Sequence, residues 1–214
     1  MHFVDRVDAG RRLAEQLTHL ADADVVVLGL PRGGVPVAAE VAAALHAPLD
    51  VLVVRKLGLP WQPELAMGAV AGVGRALEEV HNDQVIRHAR VTDEVLDTVR
   101  TREVAELRRR ELAYRGDRPP LEVRDRTVVV VDDGLATGST MRAAVAAVRQ
   151  QSPAAVVVAV PVGSPDTCAQ LRLEVDEVVC VSTPRAFAAV GQAYDDFRAT
   201  SDDEVRAALS GATD

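Results

Sequence analysis

Two adjacent carboxylates, Asp132 and Asp133, lie between four consecutive valines and a run of small residues, Gly134–Thr140. The valines predict a buried strand, and the Ala- and Val-rich stretch after them predicts a helix. This order places a short loop at the start of a helix, where backbone N–H groups and the positive end of the helix dipole bind anions. The pattern therefore predicts a phosphate site whose neighbouring carboxylates accept hydrogen bonds from sugar hydroxyls. The alternative is a strand–turn–helix unit in which the acids only cap the helix.

Positively charged residues and glycines follow two other apolar runs. Gly33 and Gly34 allow the backbone to approach an anion closely, and the guanidinium of Arg32 can form a forked pair with phosphate oxygens. Arg55 and Lys56 add two cations directly after the second apolar run. Each group also has a simpler interpretation, an ordinary strand-to-helix turn in the first case and solvated loop cations in the second.

The elements that must position these residues alternate between short apolar runs and helical patterns. The predicted strands are 25–30, 50–54, 127–131, 155–160 and 177–181, and the predicted helices are 5–21, 35–46, 138–151 and 164–173. Strands that alternate with helices indicate an α/β fold, an open and mostly parallel twisted sheet with helices on both faces. Ligands of such sheets lie beyond the carboxyl ends of the strands, near the switch in strand order. All three groups of residues follow predicted strands, so we expect them at this edge.

The stretch 56–118 departs from this alternation and is predicted to be an insertion in a single domain of residues 1–214. Apolar segments at 67–73 and 76–80 predict a hairpin. Residues 82–113 are predicted to form one or two long, charged helices.

The arginine-rich end of this insertion, residues 100–118, also contains Glu103, Glu106 and Glu111. Such a mixture is typical of a solvated helix face with i,i+3 and i,i+4 ion pairs. The alternative is an arm that binds a phosphate or the second subunit of a homo-oligomer.

Composition limits the classes of function. A chain of 214 residues, of which 48% are hydrophobic, suits one domain. The net charge of −8 argues against nucleic acid as a direct partner, since phosphate backbones attract basic surfaces. No apolar run reaches the roughly 18 residues of a membrane span, and the N-terminal residues lack the layout of a signal peptide, so we expect no membrane association and a cytoplasmic location. Cys168 and Cys180 fit neither a zinc site nor a redox pair and are predicted to be two buried free thiols.

The segment from the four valines to Thr140 resembles the phosphoribosyl diphosphate (PRPP) motif of type I phosphoribosyltransferases, which consists of four hydrophobic residues, two acids and a small-residue phosphate loop. The resemblance implies that the acids hold the 2- and 3-hydroxyls of the ribose and that the loop holds the 5-phosphate. The implied PRPP-binding residues are Asp132, Asp133, Gly134, Ala136, Thr137, Gly138, Ser139 and Thr140. Arg32, Gly33 and Gly34 are similar to the family's pyrophosphate-binding loop, which often has an unusual peptide conformation.

The activity that the resemblance implies is transfer of the 5-phosphoribosyl group of PRPP to a ring nitrogen of a nucleobase, a purine-type base in nucleotide salvage, with release of pyrophosphate. Arg55 and Lys56 are the predicted catalytic residues, because two cations can neutralise the leaving pyrophosphate. Mg²⁺ is the expected cofactor, bound by diphosphate and hydroxyl oxygens, and no protein residue is assigned as a direct metal ligand. The alternatives are a non-catalytic regulator that senses PRPP on the same fold and transfer to a non-base acceptor such as an amine.

Two further segments are expected to complete the site. Residues 57–66, a stretch rich in Gly and Pro, are the predicted mobile lid, since the family closes a flexible loop over its active site. Residues 183–214 are the predicted hood, the part in which the family recognises the base. Phe187 and Tyr194 are the predicted base-binding residues, and the alternative is that Tyr194 and Phe197 pack in the core.

Overall fold

The chain forms eight strands and seven α-helices within residues 2–211, the part that the computed structural model describes. The strands are β1 (Val25–Gly29), β2 (Leu49–Val51), β3 (Val54–Leu59), β4 (Gln62–Val73), β5 (Ala76–His81), β6 (Thr127–Val131), β7 (Ala155–Val162) and β8 (Glu177–Ser182). The helices are α1 (Arg6–Glu15), α2 (Gly34–Leu45), α3 (Asp83–His88), α4 (Asp93–Arg115), α5 (Ser139–Gln150), α6 (Pro165–Leu171) and α7 (Asp202–Gly211). Short 3-10 turns lie at Thr18–Leu20 and Val190–Ala193.

Five of the strands form an open parallel sheet in the order β2-β1-β6-β7-β8. The chain passes from β1 to β2 on one side and later returns to β6 on the other side, so the strand order switches between β1 and β6. The predicted parallel α/β fold is confirmed. Strand β2 is shorter than the predicted 50–54, because Val54 pairs with Ala71 in a second sheet.

Two layers of helices cover the central sheet, because successive strand residues point to opposite faces. Val25, Val27 and Val129 pack with α1 and α2 on one face. Val26 and Val128 pack with α5 and α6 on the other face. Every residue of β1 is buried, as expected for a parallel strand that is covered on both sides. The loops at the carboxyl ends of the strands therefore rest on a rigid platform.

The insertion forms a separate antiparallel sheet in the order β3-β4-β5. The predicted hairpin is confirmed, since β4 pairs with β5 over residues 68–73. Residues 57–66, predicted to be a mobile loop, instead form the end of β3, a tight turn at Pro60 and Trp61, and the start of β4. The prediction of a loop is wrong here, because pairing between the two strands satisfies backbone groups that a loop would leave to solvent.

Helix α4 extends over 23 residues and buries only a narrow stripe. Its buried residues are Val99, Glu103, Leu107 and Tyr114. Outside the stripe, Glu106 pairs with Arg109 and Arg110 at spacings of i,i+3 and i,i+4. The predicted solvated face with ion pairs is confirmed for this part of the helix.

The tail after β8 crosses the N-terminal residues before it reaches α7. The N–H groups of Asp195 and Asp196 donate to the carbonyl oxygens of Phe3 and Val4, each over 2.9 Å. The first and last parts of the described chain therefore lie side by side.

The character of the helices and the burial of the cysteines bear on two predictions made from composition. Among residues 2–211, no helix combines the length and the apolar character that crossing a bilayer requires. Both cysteines are free, and Cys168 is buried. The prediction of two buried thiols is wrong for Cys180, which is partly exposed.

Candidate active site

The two predicted anion-binding loops meet at the switch in strand order. The turn after β1 carries Arg32, Gly33 and Gly34, and Asp132 and Asp133 follow the neighbouring strand β6. The contact is so close that only glycine fits: a Cβ atom on Gly34 would lie 2.8 Å from Cα of Asp132, and one on Gly33 would overlap the carboxylate of Asp133. The glycines are predicted to allow close approach to an anion, and in the structure the anions that they approach are the two acids themselves.

The small-residue loop leads from Asp133 into α5. Gly138 has a φ of 72°, a left-handed conformation that favours glycine, and α5 begins at Ser139. Thr167 holds the loop from the side, since its hydroxyl donates to the carbonyl oxygen of Ala136 over 2.7 Å. The first N–H groups of a helix have no acceptor within the helix. Those of α5 are therefore available to an anion, together with the positive end of the helix dipole.

Asp133 is bound by an arginine from the N-terminal helix. Nε and Nη2 of Arg6 both reach Oδ2 of Asp133, at 2.9 and 2.8 Å. The side chains of Arg6 and Asp133 are only 12% and 15% exposed. Burial raises the pKa of Asp133, and the positive charge and hydrogen bonds of Arg6 oppose that rise. Arg6 therefore stabilises the ionised form of Asp133.

Asp132 has a different environment. Its Oδ1 accepts the N–H of Asp133 over 2.9 Å. No ion pair joins Asp132 to an arginine, lysine or histidine of the described chain. Burial, followed by the negative charge of Asp133, raises the pKa of Asp132 well above its ordinary value. Only one hydrogen bond to its carboxyl group is described, so Asp132 keeps acceptor capacity for a hydroxyl group.

Tyr194 supports the acids from the tail. Its hydroxyl donates to the carbonyl oxygen of Asp133 over 2.6 Å. Its ring contacts both Phe3 and Phe197, with ring centroids 5.5 and 5.0 Å away. Because Tyr194 is 5% exposed, the packed-core alternative describes it, against the prediction that it binds a base. Phe187 is partly buried against the same cluster and stays a predicted base-binding residue.

The turn after β1 has an unusual backbone. The peptide bond between Pro31 and Arg32 is cis, so the unusual peptide conformation that the resemblance implies for this loop is present. Nη1 of Arg32 lies 3.8 Å from a carboxylate oxygen of Asp202, and about half of each side chain is exposed. An ion pair at that distance and exposure is weak. Arg32 therefore remains available to an anion, and its predicted contact with pyrophosphate stays a prediction.

The predicted catalytic cations Arg55 and Lys56 occupy different environments. Both lie inside β3, and not in a loop after β2 as the sequence predicts. Nε and Nη2 of Arg55 donate to Oε2 of Glu103 on α4, at 2.9 and 2.6 Å. Arg55 is 28% exposed and Glu103 8%. Glu103 also binds Arg102 over 2.9 Å, so this one mostly buried acid offsets the charge of Arg55 only in part, whereas Lys56 is exposed.

Two clefts connect Lys56 with the start of α5. One has a volume of about 410 Å³, and Lys56, Arg55, Arg102 and Thr140 are among the residues that line it. The other has a volume of about 460 Å³ and lies between Lys56 and Ser139. The fold therefore brings the inserted sheet against the predicted phosphate loop.

A divalent cation at this site would depend on a ligand for most of its bonds. No cluster of three or more His, Cys, Asp and Glu side chains that could hold a metal ion occurs in the described part of the chain. Of the two carboxylates at the strand end, Asp133 already binds Arg6. This set fits Mg²⁺, which keeps several waters and is held by one or two carboxylates together with phosphate oxygens.

Arg6 and Glu103 are the two residues of the site that sequence reasoning misses. Their partners are 127 and 48 positions away in the chain. A single arginine at the start of a helix and a glutamate in a charged helix carry no local signal of such contacts. Only the three-dimensional arrangement identifies them.

Comparison with known proteins identifies the family. The sequence profile of the phosphoribosyl transferase domain matches residues 4–197. Two proteins of Mycobacterium tuberculosis, from strains CDC 1551 and H37Rv and both provisionally named phosphoribosyl transferases, are 51% identical to the chain over 210 residues. The match covers 98% of this chain and 47% of either relative, so the chain spans about half the length of the curated relatives it matches.

A solved structure agrees with the fold over its full length. The crystal structure of TT1426 from Thermus thermophilus is 46% identical in sequence and superposes with a TM-score of 0.87, and the match covers 100% of both chains. The resemblance noted in the sequence is confirmed by the family profile. The chain belongs to the phosphoribosyl transferase family.

Proposed function

We propose that the protein transfers the 5-phosphoribosyl group of PRPP to a nucleobase, with a purine-type base favoured, and releases pyrophosphate. One observation carries the proposal: Asp132, the small-residue loop at the start of α5, and the turn with Arg32 meet at a single switch in strand order. PRPP carries two ribose hydroxyls, a 5-phosphate and a diphosphate. A carboxylate, a helix N-terminus and an arginine-bearing turn match these three groups in chemistry.

Each group of PRPP has its own partner in this proposal. Asp132 accepts a hydrogen bond from a ribose hydroxyl, and the N–H groups of residues 137–140 donate to the 5-phosphate. Arg32 pairs with the diphosphate. Lys56, which is exposed beside the start of α5, neutralises the charge that develops on the departing diphosphate. Arg55 is less available than Lys56, because it pairs with Glu103.

The reaction replaces the bond between the anomeric carbon and a diphosphate oxygen by a bond to a ring nitrogen. The ring nitrogen supplies the electron pair of the new bond and loses its proton to solvent, and pyrophosphate leaves with the pair of the old bond. Positive charge develops on the ribose between these events, so the chain must align the reactants, neutralise charge and exclude water. Mg²⁺ bound to the diphosphate would further neutralise the leaving group.

A second candidate is a regulator that binds PRPP without transferring it. The ion pair between Arg55 and Glu103 favours this candidate, because it engages one of the two expected catalytic cations. Both candidates use the same PRPP site and differ only in turnover.

A pyrophosphate-release assay with PRPP, Mg²⁺ and a panel of nucleobases and amines tests the proposal. Release that depends on one base, and that Asp132→Asn abolishes, would support the transferase and identify its acceptor. PRPP binding in calorimetry without release would support the regulator. Absence of PRPP binding by the wild-type protein would reject both candidates. Asp195→Asn, which alters an exposed aspartate of the tail, is the matched control and should leave release unchanged.

A further inference from the structure

We propose that Arg6 is a positioning residue of the PRPP site, which fixes one oxygen of Asp133 and ties the tail to it, so that the other oxygen of Asp133 and the carboxylate of Asp132 are left to receive the ribose. This inference rests on the proposed function, because it requires PRPP to bind beside the two acids. It gives Asp133 an anchored carboxylate and Asp132 an unanchored one, although the sequence predicts the same task for both.

Arg6 makes three kinds of contact at once. Its Nε and Nη2 atoms bind Oδ2 of Asp133, at 2.9 and 2.8 Å. Its Nη1 atom donates to the carbonyl oxygen of Arg198 over 2.8 Å. Its guanidinium carbon lies 4.1 Å from the ring centroid of Phe197. Only a planar guanidinium can supply a fork of donors and a flat face together, so a lysine would keep only part of these contacts.

Helix α1 holds Arg6 in place. Arg6 is the first residue of this helix, and the side chain of the N-cap residue Asp5 accepts the N–H of Asp8 over 2.8 Å. Ala9 and Leu13, on the following turns, are fully buried. The guanidinium is therefore presented from a capped and anchored helix end, which restricts its position more than a loop would.

Asp133 is contacted from three directions. Arg6 binds its carboxylate, Tyr194 binds its carbonyl oxygen, and the backbone of Gly33 lies against its side chain. A ribose hydroxyl at the occupied oxygen would have to displace charged hydrogen bonds, which are the stronger kind. Within the described chain, Asp132 and the Oδ1 atom of Asp133 have no charged partner to lose, so hydroxyl binding at these oxygens is the less costly arrangement.

A double-mutant cycle measured by calorimetry with PRPP and Mg²⁺ tests this inference. Arg6→Gln and Asp133→Asn should each weaken PRPP binding about 10- to 100-fold, the range for loss of a charged hydrogen bond. The double variant should be no weaker than the worse single variant, because both changes break one interaction. Arg6→Lys should recover part of the affinity, since an ammonium still pairs with Asp133.

The matched control is Arg12→Gln on the same helix. Arg12 also pairs with an aspartate, Asp8 at 3.1 Å, and its guanidinium lies 5.6 Å from the ring centroid of Phe3. Arg12→Gln therefore removes contacts of the same kind away from the two acids, and this variant should bind PRPP with wild-type affinity. Circular dichroism confirms that each variant is folded. If Arg6→Gln does not fold, the cycle is run with Arg6→Lys, for which a smaller loss and the same non-additivity are expected.

The outcomes separate the inference from the proposed function. If the wild-type protein binds PRPP and Arg6→Gln binds it equally well, the inference is overturned and the proposed function stands. Losses that multiply in the double variant also overturn it, because Arg6 would then act elsewhere than through Asp133. If the wild-type protein does not bind PRPP, the proposed function fails, and the inference fails with it.

Discussion

The carboxyl edge of the central sheet and the inserted antiparallel sheet both carry charged residues predicted to contact PRPP, but the fold supports them differently. At the edge, Gly34 begins the helix after β1, Asp132 follows the adjacent parallel strand β6, and the two residues contact each other directly. In the insertion, Arg55 lies within a strand and finds its partner Glu103 on a helix. The first contact follows from strand pairing, whereas the second requires that α4 is docked. Which charged residues of the insertion are paired therefore depends on the docking of α4, which the local sequence does not predict.

Gly34→Ala should have the largest effect, because it disrupts the edge itself. The new Cβ would lie 2.7 Å from the carbonyl oxygen of Val131 and 2.8 Å from Cα of Asp132. These are backbone atoms that cannot rotate away, so the turn must shift. We expect the free energy of unfolding to fall by about 3 kcal/mol, the upper part of the range for overpacking, and PRPP binding to be lost.

Urea unfolding and calorimetry measure these two losses. Gly211→Ala is the control, since no atom lies within 4 Å of its Cβ, and it should not lower stability. If Gly34→Ala is as stable as the wild-type protein, the turn does not pack tightly against the acids. The contacts at this edge would then be no better fixed by the fold than those in the insertion.

Glu103→Gln should have the next largest effect and tests the insertion. The change leaves Arg55 without its charged partner at 2.6 Å and Arg102 without its partner at 2.9 Å. Loss of one partner from a fully buried pair costs about 3–5 kcal/mol, and because Arg55 is partly exposed we expect a loss of about 2 kcal/mol in urea unfolding. Glu106→Gln on the solvated face of the same helix is the control and should leave the midpoint unchanged. Equal midpoints for both variants would contradict a buried pair.

Tyr194→Phe should have a smaller effect, since it removes a single hydroxyl. That hydroxyl donates to the carbonyl oxygen of Asp133 over 2.6 Å. We expect the free energy of unfolding to fall by about 1 kcal/mol, as for one buried hydrogen bond, while the ring keeps its packing. PRPP affinity should fall less than in Arg6→Gln, because the carboxylate of Asp133 keeps its arginine. A larger loss of affinity than in Arg6→Gln would mean that the tail, and not α1, fixes the acid.

Most of the fold could be predicted because parallel strands buried on both faces appear as continuous valine-rich runs. The run Val51–Val54 is also continuous, yet the chain leaves the central sheet within it, and no change of residue type marks that point. Gly58, Pro60 and Pro63 predict a loop, but pairing of β3 with β4 overrides their local preference. Local composition therefore predicts the strands of the central parallel sheet correctly. It gives a wrong prediction where the chain passes from one sheet to the other.

The candidate site also contains features that the sequence predicts and features that it does not. The positions of Asp132 and of the turn around Gly34 could be predicted, because both follow strands whose ends must share one edge. The pairing of Arg55 with Glu103 and of Asp133 with Arg6 could not, since these partners are 48 and 127 positions apart. The sequence therefore predicts where the polar groups lie better than it predicts which of them are already paired.

Asp132→Asn should change stability in the direction opposite to that of the preceding variants. Burial and Asp133 raise the pKa of Asp132 above 3.8, its ordinary value, in the folded state. The folded state thus holds this proton more tightly, so the contribution of Asp132 to stability falls as pH rises from about 4 through the folded-state pKa. Asparagine keeps the acceptor for the N–H of Asp133 without this cost. The variant should therefore be more stable than the wild-type protein at pH 7 and equal to it near pH 4, although it no longer binds PRPP. Urea unfolding across this pH range measures the difference, and a variant that is less stable at pH 7 would show that Asp132 is a structural acid like Asp133.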